Sequence, residues 1–267
     1  ASRGRTAVNP RPYPLTPGNQ PEVLPVTPSS LPALASWIES FRVKGPYPCQ
    51  RRCGQKTPMP GVCAACGAAD NARQAAEASA LRCASAGIQE RFRWAKNLDC
   101  PALRSRVANP AAIDAMRRLD ASVSALLAGI AGSGKSSLAC AWGSERIAAG
   151  LPFLFVPSRA FRSLEKDRLD YDVIHRAIRA RTLVIDDVGQ ECAGAPPGGG
   201  IAAQRAEGVR HVIEQRHDHG LPTIITTGFG HSDLMALYGA GVTRRIAEDA
   251  DRANQIIRCD AAQTADQ

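Results

Sequence analysis

Five short segments with apolar residues at their centres, separated by stretches with helical periodicity, lie between residues 124 and 259. They cover residues 124–128, 152–157, 182–187, 222–227 and 254–259. A continuous apolar run of this length is typical of a strand that is buried on both faces. Strands that alternate with helices indicate an α/β fold, so the pattern predicts a five-stranded parallel sheet covered by helices.

A glycine-rich loop follows the first of these runs. The segment Gly129-Ile130-Ala131-Gly132-Ser133-Gly134-Lys135-Ser136 matches G-x-x-x-x-G-K-[ST], and a helix is predicted over 136–148. Glycines let backbone N–H groups turn inward around phosphate oxygens at the positive end of a helix. Lys135 can then reach the β- and γ-phosphates, and the Ser136 hydroxyl can coordinate Mg²⁺. The loop and the adjoining Ser137 therefore predict an ATP-binding site, with a chance glycine-rich turn as the alternative.

Two carboxylates end the third run, in Thr182-Leu183-Val184-Ile185-Asp186-Asp187. The carboxyl ends of parallel strands are where open α/β sheets bind their ligands. Asp186 is the candidate magnesium ligand, and Asp187 is the candidate group that orients or deprotonates the attacking water. A core strand that meets a turn gives the same pattern, but a phosphate loop earlier in the chain favours the nucleotide site.

Four segments together resemble the AAA+ ATPases and, more narrowly, the DnaC/IstB family of bacterial helicase loaders and transposition helper ATPases. They are GIAGSGKS, LVIDDVGQE, RHDHGLPTIITT and YGAGVTRRI, in the order and spacing of that family. The resemblance covers roughly residues 88–260 and begins at Ile88-Gln89-Glu90-Arg91-Phe92. It implies ATP hydrolysis with Mg²⁺, an ATP-dependent oligomer, and DNA contacts around Ser158, Arg159 and Phe161. Those three residues could equally begin a helix, with Phe161 in the core.

The resemblance also implies a role for Arg245, which precedes an apolar residue in the segment 238–246. In the family, this arginine completes the nucleotide site of a neighbouring subunit. A guanidinium at the γ-phosphate stabilises the charge of the transferred phosphoryl group. The alternative is a surface arginine pair, Arg244 and Arg245, that holds a helix end to acidic neighbours such as Glu248 and Asp249.

The chain departs from the family pattern in two places. Members often carry Asn at the end of the fourth strand, where it positions water, whereas here Gly228 follows Thr226-Thr227. Thr227 is the candidate substitute, with Thr226 as the alternative, and the shorter side chain is consistent with slow hydrolysis. The second departure is the Gly/Pro-rich stretch 193–200, predicted to be a mobile loop that is either a tolerated insertion or a partner-binding element. Since 22 residues follow Arg245, we also expect a reduced helical lid.

Four cysteines precede the ATPase region, namely Cys49, Cys53, Cys63 and Cys66, with the spacing C-x₃-C-x₉-C-x₂-C. Two close thiolate pairs can converge tetrahedrally on zinc, and four protein ligands make such a site structural rather than catalytic. Gly54 and Gly67 are interpreted as turn residues of the two pairs. A disulfide-bonded module is the alternative, but the lack of a signal peptide and the phosphate loop favour a reducing, cytoplasmic location. Cys83 and Cys100 are reserve ligands, whereas Cys140, Cys192 and Cys259 are interpreted as ordinary buried or loop cysteines.

Charge is distributed unevenly over the 267 residues, whose formal net charge is +8. Residues 1–110 hold 15 basic and 6 acidic side chains, while the remainder holds 18 and 19. The net basic charge of residues 1–110 suits contact with nucleic acid or with an acidic protein face, although a solvated basic surface would give the same count. No apolar stretch approaches the length of a membrane span, so no membrane association is expected.

The chain is accordingly divided into four parts. Residues 1–30 are proline-rich and predicted to be disordered or polyproline-like. Residues 31–87 hold a predicted helix with an apolar stripe (30–41), the cysteine module and an alanine-rich connecting helix (70–87). That stripe packs on the module or docks a partner. Residues 88–260 form the ATPase domain, and 261–267 a tail.

Two functional hypotheses remain. In the first, the protein loads a replicative helicase, with the N-terminal module on the helicase and the ATPase domain on single-stranded DNA. In the second, it is a transposition helper that assembles on duplex DNA and recruits a transposase. A zinc-containing adaptor with little ATPase activity is a third, weaker possibility.

Overall fold

The computed structural model describes residues 47–58, 60–163, 168–195, 199–252 and 255–260. The proline-rich segment 1–30, the predicted helix 30–41, residues 196–198 of the Gly/Pro-rich stretch and the tail 261–267 lie outside them. The chain divides into two compact units, residues 1–69 and 70–267.

The first unit contains a small antiparallel hairpin, β1 (Tyr47–Pro48) with β2 (Lys56–Thr57). Gly54 has φ +84°, so it is a turn residue, as predicted. The interpretation of Gly67 as a second turn residue is wrong. Helix α1 (Ala64–Ser85) begins before it and continues into the second unit. The N–H of Gly67 donates to Cys63 O at 2.9 Å, which makes this glycine part of the first helical turn.

The second unit contains a five-stranded parallel sheet, as the apolar runs predict. Its strands are β3 (Ala125–Ala128), β4 (Leu154–Pro157), β7 (Leu183–Val188), β8 (Thr223–Thr227) and β9 (Ile256–Arg258). Their order across the sheet is β4-β7-β8-β3-β9. A separate antiparallel pair, β5 (Arg162–Ser163) with β6 (Arg168–Leu169), lies between β4 and β7 in sequence.

Helices cover both faces of the sheet. They are α2 (Pro101–Arg104), α3 (Ala111–Arg117), α4 (Lys135–Ala148), α5 (Tyr171–Arg179), α6 (Gly200–Asp218), α7 (His231–Tyr238) and α8 (Ala240–Arg252). Leu127 and Phe155 belong to one core, with α3 and α4. Their neighbours Leu126 and Leu154 belong to the other, with α5 to α8. Successive strand residues point to opposite faces, so the two cores lie on the two sides of the sheet.

A buried arginine joins the end of α6 to the end of α5. Arg216 is 0% exposed, and its guanidinium donates to Ala177 O at 2.8 Å and Ala180 O at 2.5 Å. It also donates to Pro222 O at 2.5 Å and Thr223 Oγ1 at 2.8 Å, at the start of β8. Burial lowers the Arg216 pKa to about 10, so the side chain remains a cation. One side chain thus satisfies the carbonyls at a helix C-terminus, where positive charge is favoured.

Candidate nucleotide site

The loop between β3 and α4 has the backbone conformation that its glycines allow. Gly132 and Gly134 have φ values of +82° and +92°. A Cβ at Gly134 would lie 2.8 Å from Arg106 O, so this position has no room for a side chain. A Cβ at Gly132 would meet nothing within 4 Å, because this part of the loop faces the open cleft. The loop is therefore packed on one side and accessible on the other.

The polar groups of this loop are poised for a ligand. Lys135 is 5% exposed, and its Nζ donates to the carbonyls of Gly129 and Ile130 at 2.7 and 2.8 Å. The Ser133 hydroxyl is buried without a hydrogen-bond partner in the described part of the chain. Phosphate oxygens are acceptors for both groups, so the residues present fit a nucleotide phosphate.

A cleft of about 690 Å³ opens over the loop. The loop and the start of α4 form one wall, and Arg91, Phe92, Ser105 and Arg106 line the other. Asp187 and Gln190 reach it from the end of β7. The volume lies in the range of small-molecule and cofactor sites.

Asp186 is buried next to the loop. It is 1% exposed, and Thr226 Oγ1 donates to its Oδ1 at 2.7 Å. Burial and the neighbouring charge of Asp187 raise its pKa to about 6, while hydrogen bonds from Thr226 and Ser136 act in the opposite direction. The Ser136 hydroxyl and the Asp186 carboxylate therefore adjoin. These are the two hard oxygen ligands that a magnesium ion beside the phosphates would need.

Asp187 occupies an unusual backbone conformation. Its φ is +56°, and the pairing of β7 with β8 shifts register between Ile185 and Val188. Two hydroxyls hold the peptide in place: Thr226 Oγ1 accepts from Asp187 N at 2.9 Å, and Ser158 Oγ donates to Asp187 O at 2.8 Å. The irregularity turns the carboxylate of Asp187 toward the cleft, while Asp186 stays in the core. Backbone strain of this kind clusters at functional sites.

The two threonines at the end of β8 have different roles. The hydroxyl of Thr226 contacts Asp186 and Asp187. The hydroxyl of Thr227 donates to Val188 O at 2.8 Å and accepts from Phe229 N at 3.1 Å, so its partners are backbone groups. Thr226 is thus the threonine in contact with the Asp186 carboxylate and with the backbone N–H of Asp187. A Cβ at Gly228 would lie 3.6 Å from Gly129 O, which places this side-chain-free position directly beside the phosphate loop.

Arg245 lies on α8 and is partly exposed. Its Nη2 is 3.8 Å from Asp218 Oδ1, at the end of α6, and its Nη1 is 3.5 Å from Gly241 O. The acidic partner seen in the structure is therefore Asp218. Arg244, its neighbour, is exposed.

The three candidate DNA-contact residues form a short 3₁₀ helix, Ser158–Phe161. Ser158 and Phe161 are each 2% exposed, and Phe161 packs in the core, which is the alternative that the sequence left open. Arg159 is exposed and lines a pocket of about 140 Å³ together with Asp186 and Asp187.

Arg91 is a site residue to which the sequence assigned no role. It lines both the main cleft and the smaller pocket beside Asp186 and Asp187. Its positive charge favours the ionised form of Asp186 and thereby lowers the pKa of that carboxyl. The sequence resemblance begins at residues 88–92, but neither spacing nor composition indicates that the arginine of this segment faces the phosphate loop.

The four cysteines of the first unit form a cluster. The sulfurs of Cys49, Cys53, Cys63 and Cys66 all lie within 4.8 Å of one another. Tetrahedral zinc with bonds of about 2.3 Å holds sulfurs about 3.8 Å apart, so the cluster fits that ion. A backbone N–H from Cys63 lowers the pKa of Cys49 to about 6, and a hydrogen bond with Cys53 raises that of Cys66 to about 12. Cys83 and Cys100 lie outside the cluster, while Cys140, Cys192 and Cys259 are buried.

Within the described residues, none of the helices has the length and apolar character needed to cross a lipid bilayer.

Comparisons with known proteins give similarity to solved structures only. No protein-family model matches the chain, and no curated protein matches its sequence. The crystal structure of the DnaC helicase loader is 20% identical, covers 64% of this chain and 99% of its own, and gives a TM-score of 0.47. A putative primosome component from Streptococcus pyogenes serotype M3 is 22% identical, with coverages of 57% and 77% and a TM-score of 0.41. AMPPCP-bound DnaA from Aquifex aeolicus is 15% identical, with coverages of 56% and 44% and a TM-score of 0.42.

Proposed function

We propose that this chain is a Mg²⁺-dependent AAA+ ATPase of the DnaC/IstB type that loads a replicative helicase onto single-stranded DNA. One observation carries the ATPase part of this proposal. The Ser136 hydroxyl, at the end of the phosphate loop, lies close enough to the buried Asp186 carboxyl, at the carboxyl end of the adjoining sheet, to lower its pKa. A phosphate cradle and a metal-ligating carboxylate thereby meet at one point, which is the arrangement that phosphoryl transfer requires.

The residues of the cleft divide the chemical work. Lys135 exchanges its two loop carbonyls for the β- and γ-phosphates of ATP, and the loop amides donate hydrogen bonds to the remaining phosphate oxygens. Ser136 and Asp186 would hold Mg²⁺, which neutralises charge on the phosphates when bound. Asp187, turned into the cleft, orients the attacking water and accepts its proton. Arg91 adds positive charge on the same side.

Arg245 acts on the nucleotide of a neighbouring copy. In the single chain it is held by a contact of 3.8 Å to Asp218, whose side chain is 58% exposed. Exposed ion pairs of this kind contribute about 0–1 kcal/mol, so the guanidinium is released at little cost when another surface offers a phosphate. Assembly then supplies each nucleotide site with an arginine that the copy holding the nucleotide does not provide itself.

The replication role rests on the motif resemblance and on the N-terminal half. The cysteine cluster, with zinc as its structural ion, gives a small rigid module of the kind that docks a partner protein. The net basic charge of residues 1–110 and the exposed Arg159 beside the cleft suit contact with single-stranded DNA.

Mixed assemblies test the shared site. We expect Arg245→Ala to bind ATP normally but to lose about three orders of magnitude in turnover, because the transition-state charge is no longer neutralised. Lys135→Ala, which lacks the ammonium group for the β- and γ-phosphates, is also expected to be inactive alone. Mixing the two should restore turnover, since Lys135→Ala subunits donate Arg245 to the intact nucleotide sites of Arg245→Ala subunits. Normal turnover by Arg245→Ala alone would rule out this role.

The DNA and partner assignments need their own measurement. We expect ATP-dependent binding to a single-stranded oligonucleotide and co-purification with a replicative helicase through residues 30–66. ATP-dependent binding that prefers duplex DNA, with a transposase as partner, would instead establish the transposition role.

A further inference from the structure

Glu191 and Tyr238 form a hydrogen-bonded pair that the proposed chemistry does not use. The phenol of Tyr238 donates to Glu191 Oε1. The other oxygen, Oε2, accepts from Gly189 N at 3.0 Å. Tyr238 is 2% exposed, so the contact is shielded from solvent. The pair joins residues that lie 47 positions apart in the chain.

On one side, the pair is fixed to the turn that follows Asp187. Ser158 Oγ donates to Asp187 O at 2.8 Å. The same side chain lies close enough to Glu191 to lower the pKa of that carboxyl. Gly189 makes the turn with φ +103°, and a Cβ there would lie 2.5 Å from the ring of Phe229. The carboxylate of Glu191 is therefore held firmly to the cleft wall.

On the other side, the pair is fixed to the helix that carries Arg245. Tyr238 is the last residue of α7, and Gly239, with φ +80°, makes a sharp corner before α8 begins at Ala240. Arg245 lies in the second turn of α8. Because a helix is stiff over two turns, the orientation of this corner determines where the guanidinium points.

The buried Glu191–Tyr238 pair has a desolvation cost that calls for a structural explanation. Burial raises the pKa of Glu191, and burial together with that carboxylate raises the pKa of Tyr238. An apolar pair of similar volume would avoid the desolvation cost, so a buried polar contact is more readily explained by the geometry it specifies.

We propose that the Glu191–Tyr238 hydrogen bond is a positioning contact that orients the first turns of α8, so that Arg245 reaches the nucleotide of a neighbouring copy. This inference rests on the proposed role of Arg245. In this inference, Tyr238 positions the Arg245 of its own copy, which acts on the neighbour's nucleotide. It does not affect the nucleotide that its own copy binds.

Tyr238→Phe removes the hydroxyl alone, and Tyr171→Phe is the matched control. Tyr171 is 61% exposed on α5, outside the cleft and the pair. We expect Tyr238→Phe to bind ATP with an affinity within about twofold of wild type, while its kcat in the assembled state falls about tenfold or more, since a small misplacement of a catalytic group is costly. KM should change little, Tyr238→Phe should remain folded at the assay temperature although it loses a buried hydrogen bond, and Tyr171→Phe should match wild type.

Mixing with Lys135→Ala separates positioning from a general structural defect. Lys135→Ala subunits carry an intact Tyr238 and a correctly placed Arg245, so their addition should restore turnover at the nucleotide sites of Tyr238→Phe subunits. Wild-type kcat for Tyr238→Phe, or a loss that Lys135→Ala subunits do not restore, would overturn the inference. The Arg245→Ala mixture is run alongside. If that mixture is also inactive, the proposed shared site fails, and the inference that rests on it fails as well. If only the Tyr238→Phe mixture is inactive, the role of Tyr238 alone fails.

Discussion

Asp186 shows how a functional residue can oppose the stability of the fold around it. The carboxylate is 1% exposed beside a second carboxylate, and its pKa is raised to about 6. Below the unfolded pKa near 3.8, the buried group is protonated in both states and costs nothing. As the pH rises through 6, the folded state must bury a charge, and stability falls. A bound cation would offset that cost.

We therefore expect Asp186→Asn to stabilise the nucleotide-free protein at about pH 7.5. The gain in the free energy of unfolding should be on the order of 2–3 kcal/mol, because burial raises the pKa of Asp186 from 3.8 to about 6. The gain should shrink as the pH approaches 4, and the variant should lose Mg²⁺-dependent hydrolysis. Denaturant unfolding at several pH values measures the first effect. A variant that is less stable than wild type at pH 7.5 would contradict the burial argument.

Asp186 and Asp187 stand next to each other in sequence but do different things in the structure, and the sequence indicates only part of this. An apolar run that ends in two carboxylates predicts that both lie at the sheet edge. Which one turns into the cleft depends on the register shift and on two hydroxyls from other elements, that of Thr226 on β8 and that of Ser158 in the 3₁₀ helix after β4. Such contacts are tertiary, so periodicity cannot reveal them, and for the same reason Thr226 could not be preferred over Thr227.

At the scale of elements, the strands were predictable because each has apolar residues at its centre and ends at, or just before, a glycine, proline or carboxylate. The predicted and observed strands differ by one or two residues at their ends. The packing of segment 88–107 on the phosphate loop was not predictable. It depends on a close approach of Gly134 to Arg106 O that only the folded chain creates.

Among the contacts between elements, we expect the hydrogen bonds of Arg216, which join α6 to α5 and β8, to contribute most to the free energy of unfolding. Arg216→Lys keeps the charge, but an ammonium group cannot reach the acceptors on α5 and β8 together, so buried carbonyls lose their partners. We expect a loss of about 3 kcal/mol in the free energy of unfolding, with each unsatisfied group contributing about 1–3 kcal/mol. Arg118→Lys, at an exposed position, should be neutral. Equal stabilities of the two variants would show that the buried network is not important.

At the scale of the whole molecule, the chain combines a cysteine module with an α/β unit that holds the candidate nucleotide site. The cysteine spacing predicted the first, and the four sulfurs converge as expected. The sequence did not predict that a helix begins between Cys63 and Cys66. Glycine is typical of turns, but Gly67 lies in α1, where the helix determines its conformation.

Zinc should hold this module together. We expect about one zinc per chain after purification without chelator, lost in Cys63→Ser, because three thiolates bind the ion far less tightly than four. Cys83→Ser is the matched control, since Cys83 is a buried cysteine of α1 that lies outside the cluster. Metal analysis of the purified proteins decides the matter. Zinc retained by Cys63→Ser, or absent from the wild type, would contradict the assignment.

The most direct test of the central claim is an equilibrium titration with a fluorescent ATP analogue, with and without Mg²⁺. Binding through the loop amides, Lys135 and a metal held by Ser136 and Asp186 predicts micromolar affinity with Mg²⁺ and at least about tenfold weaker binding by Lys135→Ala. Unlabelled ATP should displace the analogue. If folded wild-type protein did not take up the analogue, or if Lys135→Ala bound it equally well, the cleft over residues 129–136 would not be a nucleotide site.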